Sequence, residues 1–299
     1  MTRASSPAGE HEPKTDPHHA LLTLAGSVPD GWLAVARDAL AAGDTDRLAE
    51  LRAALEEVAP PTHRARYRFT PHGAGYEDAD RAVVSAVTAE GAAVACWAVM
   101  RDGSDRVYLV QADGPDLPAV TALAQDAIDE AGDTPRVEVF GPETPLPRYH
   151  EEALLAATLL WAATPGTPVR IARAFDGASP GRGPWFGPRH QLVEDAGERQ
   201  RLLDFLSGGE VVLTSEVRLT DLITGTAGAV PADLRSDGVW VWSEASRYYL
   251  DRHRLAVDAR LAAHARKRAP VRRLSPLDRY RVRAALVPSG DEDSLWRAG

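Results

Sequence analysis

Few side chains in this sequence stand at spacings that do chemistry, and each candidate motif meets a physical objection. Gly177-Ala178-Ser179-Pro180-Gly181 has the G-x-S-x-G spacing of a nucleophile elbow, a sharp strand-to-helix turn that lifts a serine hydroxyl clear of a sheet. A strand is predicted before it, but Gly181, Gly183, Pro184 and Pro188 leave no helix after it, so the segment reads as a loop. The same loop holds Gly181-Arg182-Gly183, with Gly187 one residue too late for a dinucleotide fingerprint and no helix N-terminus to receive a pyrophosphate. A G-x-x-x-x-G-K-[ST] phosphate loop and an H-E-x-x-H zinc motif are both absent.

The remaining reactive groups fare no better. His150-Glu151-Glu152 opens a predicted helix, where the two glutamates suit the positive end of the dipole but lack a second histidine as metal ligands. The single cysteine, Cys96, excludes an intramolecular disulfide and sits in the most apolar segment, where a thiol is structural and not a reactive thiolate. Glu194 with Asp195, Glu198, and Glu210 with Glu216 are carboxylates whose spacing favours no acid/base pair. No catalytic residue, cofactor or metal ligand is assigned. What the loop 176–188 and its flank do offer is a set of binding side chains, Arg182, Trp185, Arg189 and His190; Trp185 and Phe186 together read either as a lid or contact point or as aromatics that fold back and anchor the loop.

Composition narrows the class. The 299 residues are 44% hydrophobic and 26% charged, as in soluble globular proteins, and no apolar run is long enough to span a membrane. Of the 34 basic side chains only Lys14 and Lys267 are lysine, and asparagine is absent; a GC-rich coding bias explains both. The start of the chain lacks the basic-then-apolar order of a signal peptide, so a cytoplasmic location is expected. The net charge of −9 is uneven: residues 247–283 carry +9, leaving −18 elsewhere. An acidic body opposes nucleic acid and membrane surfaces and favours a basic protein partner.

The elements that must position these groups are read from periodicity. Residues 1–28 read as a flexible leader. Trp32, Val35, Ala36 and Leu40 share a helix face ended by Gly43, and Asp44 caps a second helix with the stripe Leu48, Leu51, Leu55 and Val58, which together form a helical hairpin. Strands are predicted over 66–70, 82–87, 92–100 and 106–111, with Asp102-Gly103 as a turn. A helix opened by Asp116 with the stripe Val120, Leu123, Ala127 and Ile128 follows, then a strand over 136–140 and a helix over 149–163. The expected class is α+β: mixed sheets with packed helices and a boundary at Pro165-Gly166. Beyond it come a strand over 169–174, the loop, a helix over 198–206, a strand over 210–214, a hairpin through Asp237-Gly238, and two helices up to residue 268. The last stretch, 269–299, reads as a basic arm and tail.

The most specific segment is 229–268. Asp237-Gly238 supplies a positive-φ turn, Trp240 and Trp242 alternate with Val239 and Val241, Ser243 caps a helix, and Tyr248 and Tyr249 lie on it. One reading is an aromatic mini-core stapling hairpin to helix; the other makes Trp240, Trp242 and Tyr249 part of a contact surface, since Trp, Tyr and Arg dominate binding hot spots. Asp237, Gly238, Trp240, Trp242, Tyr248, Tyr249, Leu250 and His253 follow the pattern D-G-x-W-x-W, then Y-Y-L and a basic residue. In this the segment resembles a module of actinobacterial proteins found near toxin–immunity and other conflict genes, although Leu255-Ala256-Val257 lacks the module's proline. The resemblance implies a fold and a genomic setting, with no activity attached.

Three functions follow as expectations. The first is a cytosolic, non-catalytic binding protein, of immunity or accessory type, engaging a basic partner. The second is an enzyme with a site in the cleft between the two halves near loop 176–188. The third, nucleic-acid binding through Arg247 to Arg283, is opposed by the charge of the rest of the chain.

Overall fold

The computed structural model describes residues 16–57, 67–73, 77–89, 91–268 and 273–287. The chain divides into two compact units, Met1–Thr164 and Pro165–Gly299, and both are of the α+β kind.

The first unit opens with α1 (Pro17–Leu24), capped by the Asp16 side chain on the His18 N–H. Leu21 and Leu22 are buried, so eight residues of the leader expected over 1–28 form a packed helix; its proline sits at the first turn, where the lost N–H costs nothing. The helical hairpin is present as α2 (Asp30–Ala41) and α3 (Thr45–Glu57). Gly43 at φ 69° closes α2 with bonds from the Gly43 N–H to Leu40 O and from the Asp44 N–H to Ala39 O. Asp44 then accepts the Arg47 N–H and caps α3; Val58 lies outside the described residues.

The sheet follows with β1 (Phe69–Pro71), α4 (Asp78–Ala89), β2 (Ala93–Arg101), β3 (Asp105–Ala112), α5 (Leu117–Glu130), β4 (Val137–Phe140), α6 (Arg148–Ala156) and β5 (Thr158–Ala162). Arg66, the expected start of the first strand, lies outside the described residues. The strand expected over 82–87 is instead α4: Val83 and Val87 stand one helical turn apart and are both buried, and Asp80 anchors the first turn by accepting the Glu77 N–H. β2 pairs along its length with β3 through the Asp102-Gly103 turn, where both residues have positive φ. Its other edge is shared by β1 and β5, and β4 runs parallel to β3. The helix expected over 149–163 is therefore broken at Ala157, which is extended. The remainder pairs as β5, a choice the half-covered edge of β2 makes available and local periodicity does not reveal. α5 is capped by Asp116, but its buried stripe is Val120, Thr121, Ala124, Gln125 and Ile128, leaving Leu123 exposed.

The second unit contains β6 (Arg170–Ile171), β7 (Gly177–Ser179), β8 (Gly183–Trp185), α7 (Ala196–Gly208), β9 (Glu210–Leu213), β10 (Arg218–Leu219), β11 (Val230–Pro231), β12 (Leu234–Ser236), β13 (Trp240–Ser243), α8 (Glu244–His253), α9 (Ala259–Ala265) and α10 (Pro276–Leu286). Its main sheet has the order β6-β13-β12-β9, with β9 at one edge; β7 with β8 and β10 with β11 are separate two-stranded ribbons. The loop expected over 176–188 thus holds a small hairpin. The expected arm is corrected too: α10, capped by Ser275, buries Leu277 and Val282, and Val282 packs with Val212, Val241 and Leu274.

Candidate functional site

The aromatic hairpin resolves first. Ser236, Asp237 and Gly238 build the turn: the Asp237 carboxylate accepts the Val239 and Trp240 N–H groups, and Gly238 takes φ 86°. His264 on α9 reaches the same carboxylate at 2.5 Å. Trp240 and Trp242 are 3% and 1% exposed and pack with Phe205, Leu206, Leu250 and Leu261. The Trp242 indole N–H donates to Leu206 O at 3.1 Å. Tyr249, 2% exposed, faces another cluster with Phe175 and Phe186, and its hydroxyl accepts the Leu222 N–H. The contact-surface expectation for Trp240, Trp242 and Tyr249 is therefore corrected: side chains closed off from water touch no partner, and the mini-core reading describes them.

His253 of the same motif holds a loop. Asp221 Oδ2 takes bonds from His253 Nε2 at 2.8 Å and the Tyr248 hydroxyl at 3.0 Å, while Oδ1 takes the Ile223 N–H. Burial opposes the charge on Asp221, but these donors together hold its carboxyl far below the usual range. Asp221, 32 residues from His253, carried no local signal in the sequence.

The side chains around loop 176–188 do meet. An open groove of about 420 Å³ is walled by Arg173, Asp176, Arg189, His190, Ala256 and Asp258. All of these belong to the second unit, so the groove is formed within that unit. Asp176 accepts the Gly187 N–H at 2.6 Å and His190 Nδ1 at 3.0 Å; burial disfavours its charge, but these bonds outweigh that and lower its carboxyl. His190 Nε2 meets the Ala256 carbonyl at 2.9 Å. An Asp–His pair of this kind orients a general base only if the far nitrogen is free to take a proton. Here that nitrogen is tied to a backbone carbonyl, so the pair pins the loop to residue 256. Arg182 and Trp185 stand apart on the β7–β8 hairpin, with the Arg182 guanidinium 5.1 Å from the Trp185 ring centre. Trp185 lies against Gly177, where a Cβ would collide with the ring. Phe186 folds back against Tyr249, centroids 4.7 Å apart.

Four of the carboxylates left unassigned above are structural. Asp195 caps α7, Glu194 pairs with Arg254, Glu198 with Arg201 and Arg266, and Glu210 with Arg279. Among the described residues no three His, Cys, Asp or Glu side chains are arranged to hold a metal ion. Cys96 is fully buried, and desolvation pushes its thiol far above the ordinary value.

A third locus lies on the first unit. By compact unit, residues 1–164 hold 26 acidic and 13 basic side chains, net −13, whereas residues 165–299 hold 17 and 21, net +4. The acidity concentrated outside 247–283 therefore belongs chiefly to the first unit. Helices α2 and α5 pack together, and the Gln125 side chain bridges them by donating to Ala34 O and to Asp38. Their outer surface exposes Asp38, Asp126, Asp129 and Glu130, with Val35 43% and Leu123 39% exposed on the same two helices. Partial burial, and after it the neighbouring charge of Asp126, push the Asp38 carboxyl up. Asp38 and Asp126 are 88 positions apart, so only folding brings them together.

Comparison with family models, with characterised proteins and with solved structures finds no match to this chain.

Proposed function

We propose that this is a non-catalytic binding protein, of immunity or accessory type, that engages a basic protein partner through the acidic α2–α5 face of its first unit. The observation that carries the reading is the segregation of charge, net −13 on one unit and +4 on the other. Exposed Val35 and Leu123 beside Asp38, Asp126 and Glu130 supply the apolar contact that affinity needs, while the carboxylates speed encounter with a cationic surface. Of the twelve basic side chains of 247–283, Arg247, Arg254, Arg266 and Arg279 pair with Glu244, Glu194, Glu198 and Glu210. No helix among the described residues is long and apolar enough to cross a membrane.

The test is capture of partners from the native host at low and moderate salt, using the wild type and the D38N/D126N/E130Q variant. A stoichiometric basic protein held by the wild type, and at least tenfold weaker on the variant, is expected. Absence of any stoichiometric partner at either salt overturns the proposal. The enzyme reading rests on the second-unit groove and would need a small-molecule ligand there; a thermal-shift series with nucleotides and common metabolites distinguishes it, because a bound ligand raises the melting temperature by mass action.

A further inference from the structure

Helical period places Leu123 with Val120 and Ile128 on the stripe of α5 that should be buried, yet Leu123 is 39% exposed. It borders an apolar depression of about 270 Å³ at the start of that helix, lined also by Ala92, Ala112, Gly114, Leu117 and Val120. Small residues create the space: the side chains of Ala92, Ala112 and Ala119 end at Cβ, and Gly114 has none. Ala112 is fully buried and Leu123 is open to water, so the depression runs from the sheet to the surface. All of it lies within the first unit.

Size and lining together select the occupant. A dry cavity of ~150 Å³ already holds a benzene, whereas small-molecule sites run from about 300 to 1,000 Å³ and carry a few convergent polar groups. Here Asp116 is the one charged side chain among the lining residues, and it is spent on capping α5 through the Ala119 N–H. A single indole, phenyl or branched aliphatic side chain suits such a space. Around the mouth the charge has one sign. Asp113 is exposed between the lining residues Ala112 and Gly114, and Asp126 and Glu130 follow one and two turns beyond Leu123 on the exposed side of α5. None of the three has an ion-pair partner among the described residues.

We infer that this depression receives one large apolar side chain of a basic amphipathic helix, whose Lys or Arg side chains pair with Asp126 and Glu130. The inference rests on the acidic α2–α5 face being the binding surface, and it adds what that surface selects, an apolar anchor beside the cations. Leu123, Asp126 and Glu130 recur at i, i+3 and i+7, about 10 Å from first to last at 1.5 Å per residue. A helix laid along α5 matches that spacing when its anchor is followed or preceded by cations three or four and seven positions away. Desolvating the anchor supplies affinity and fixes register, while the carboxylates turn away anionic surfaces and speed the approach of a cationic one.

Fluorescence anisotropy of the full chain with a designed probe tests it. The probe is a labelled, alanine-based helical peptide of about 15 residues, with one central tryptophan and lysines three, four and seven positions to either side. The wild type at low salt is expected to bind it with a Kd below ~100 μM. Replacing the peptide's tryptophan by alanine, or filling the depression with Ala119→Phe, weakens binding by about tenfold or more, the loss of one buried large apolar side chain. Leu123→Ala, at an exposed site, weakens it by about threefold or more with an unchanged circular dichroism spectrum, so the result does not hang on the fold of Ala119→Phe. A tryptophan-free peptide that binds as tightly as the parent, or wild-type affinity in either variant, overturns the anchor site. The acidic face survives that outcome if D38N/D126N/E130Q still loses binding, whereas wild-type affinity in D38N/D126N/E130Q removes the face and the anchor site together. No binding of the parent peptide up to ~1 mM overturns the anchor site alone, since capture from the host reads the face separately.

Discussion

Removing Trp242 discriminates between the two roles an aromatic hairpin can play. The side chain is 1% exposed, lies over Gly209 and against Phe205, and donates its indole N–H to the Leu206 carbonyl at 3.1 Å. Trp242→Ala empties that space, and large aromatic-to-alanine changes in packed cores cost about 3–5 kcal/mol. Trp242→Phe keeps most of the apolar contact but orphans the Leu206 carbonyl, for a loss of about 1–3 kcal/mol. At roughly 3–5 °C per kcal/mol for a unit of this size, the alanine variant should melt about 9–25 °C lower and the phenylalanine variant about 3–15 °C lower. Differential scanning calorimetry, with urea unfolding followed by circular dichroism as an independent measure, reads both. A Trp242→Ala protein within 1 kcal/mol of wild type would refute the core assignment and return the tryptophans to the surface.

Two further outcomes follow from buried ionisable groups. Glu138 is buried between Arg37 at 2.5 Å and His150 at 2.9 Å; desolvation alone would raise its carboxyl, but the Arg37 charge and the His150 bond outweigh it and hold it below its usual 4.5. A carboxyl lowered on folding contributes stability above its unfolded value that is lost as pH falls through the folded one. Glu138→Gln should therefore cost about 3–5 kcal/mol at pH 7, since it leaves the Arg37 charge buried without a counter-ion. Its deficit against wild type in urea unfolding should narrow below about pH 4.5, and a constant deficit down to pH 3 would exclude the ion pair as its source. Cys96, its thiol raised first by burial and then by the Asp80 charge, should be inert to an aromatic disulfide reagent at pH 8 in the native protein and yield one thiol per chain in denaturant.

Much of the local structure is legible in sequence order because its causes are local. Gly43 with Asp44, Asp102-Gly103, Asp116 with Pro118, and Asp237-Gly238 with Ser243 each punctuate the chain where a positive φ or an orphan N–H demands that residue type. The all-apolar run around Cys96 has the composition of a strand covered on both faces, and β2 is that strand. Where two periods are both compatible with a valine- or leucine-rich stretch, the sequence is silent. Val83, Val84 and Val87 form a helix because helix geometry places Val83 and Val87 together in the core. Leu159 to Trp161 form a strand because β2 had an edge to fill.

The candidate sites divide the same way. One cysteine excludes an intramolecular disulfide and a Cys₂ or Cys₄ zinc centre, and the phosphate-loop and H-E-x-x-H spacings are absent. The residue types also identify an aromatic hairpin and an acidic excess. Only the tertiary structure decides that the tryptophans are sealed inside and that His190 is tied to a carbonyl. It alone joins Asp38 to Asp126. Burial and long-range pairing depend on what packs against a residue, and that neighbour is set by the folded chain and not by the residues beside it in sequence.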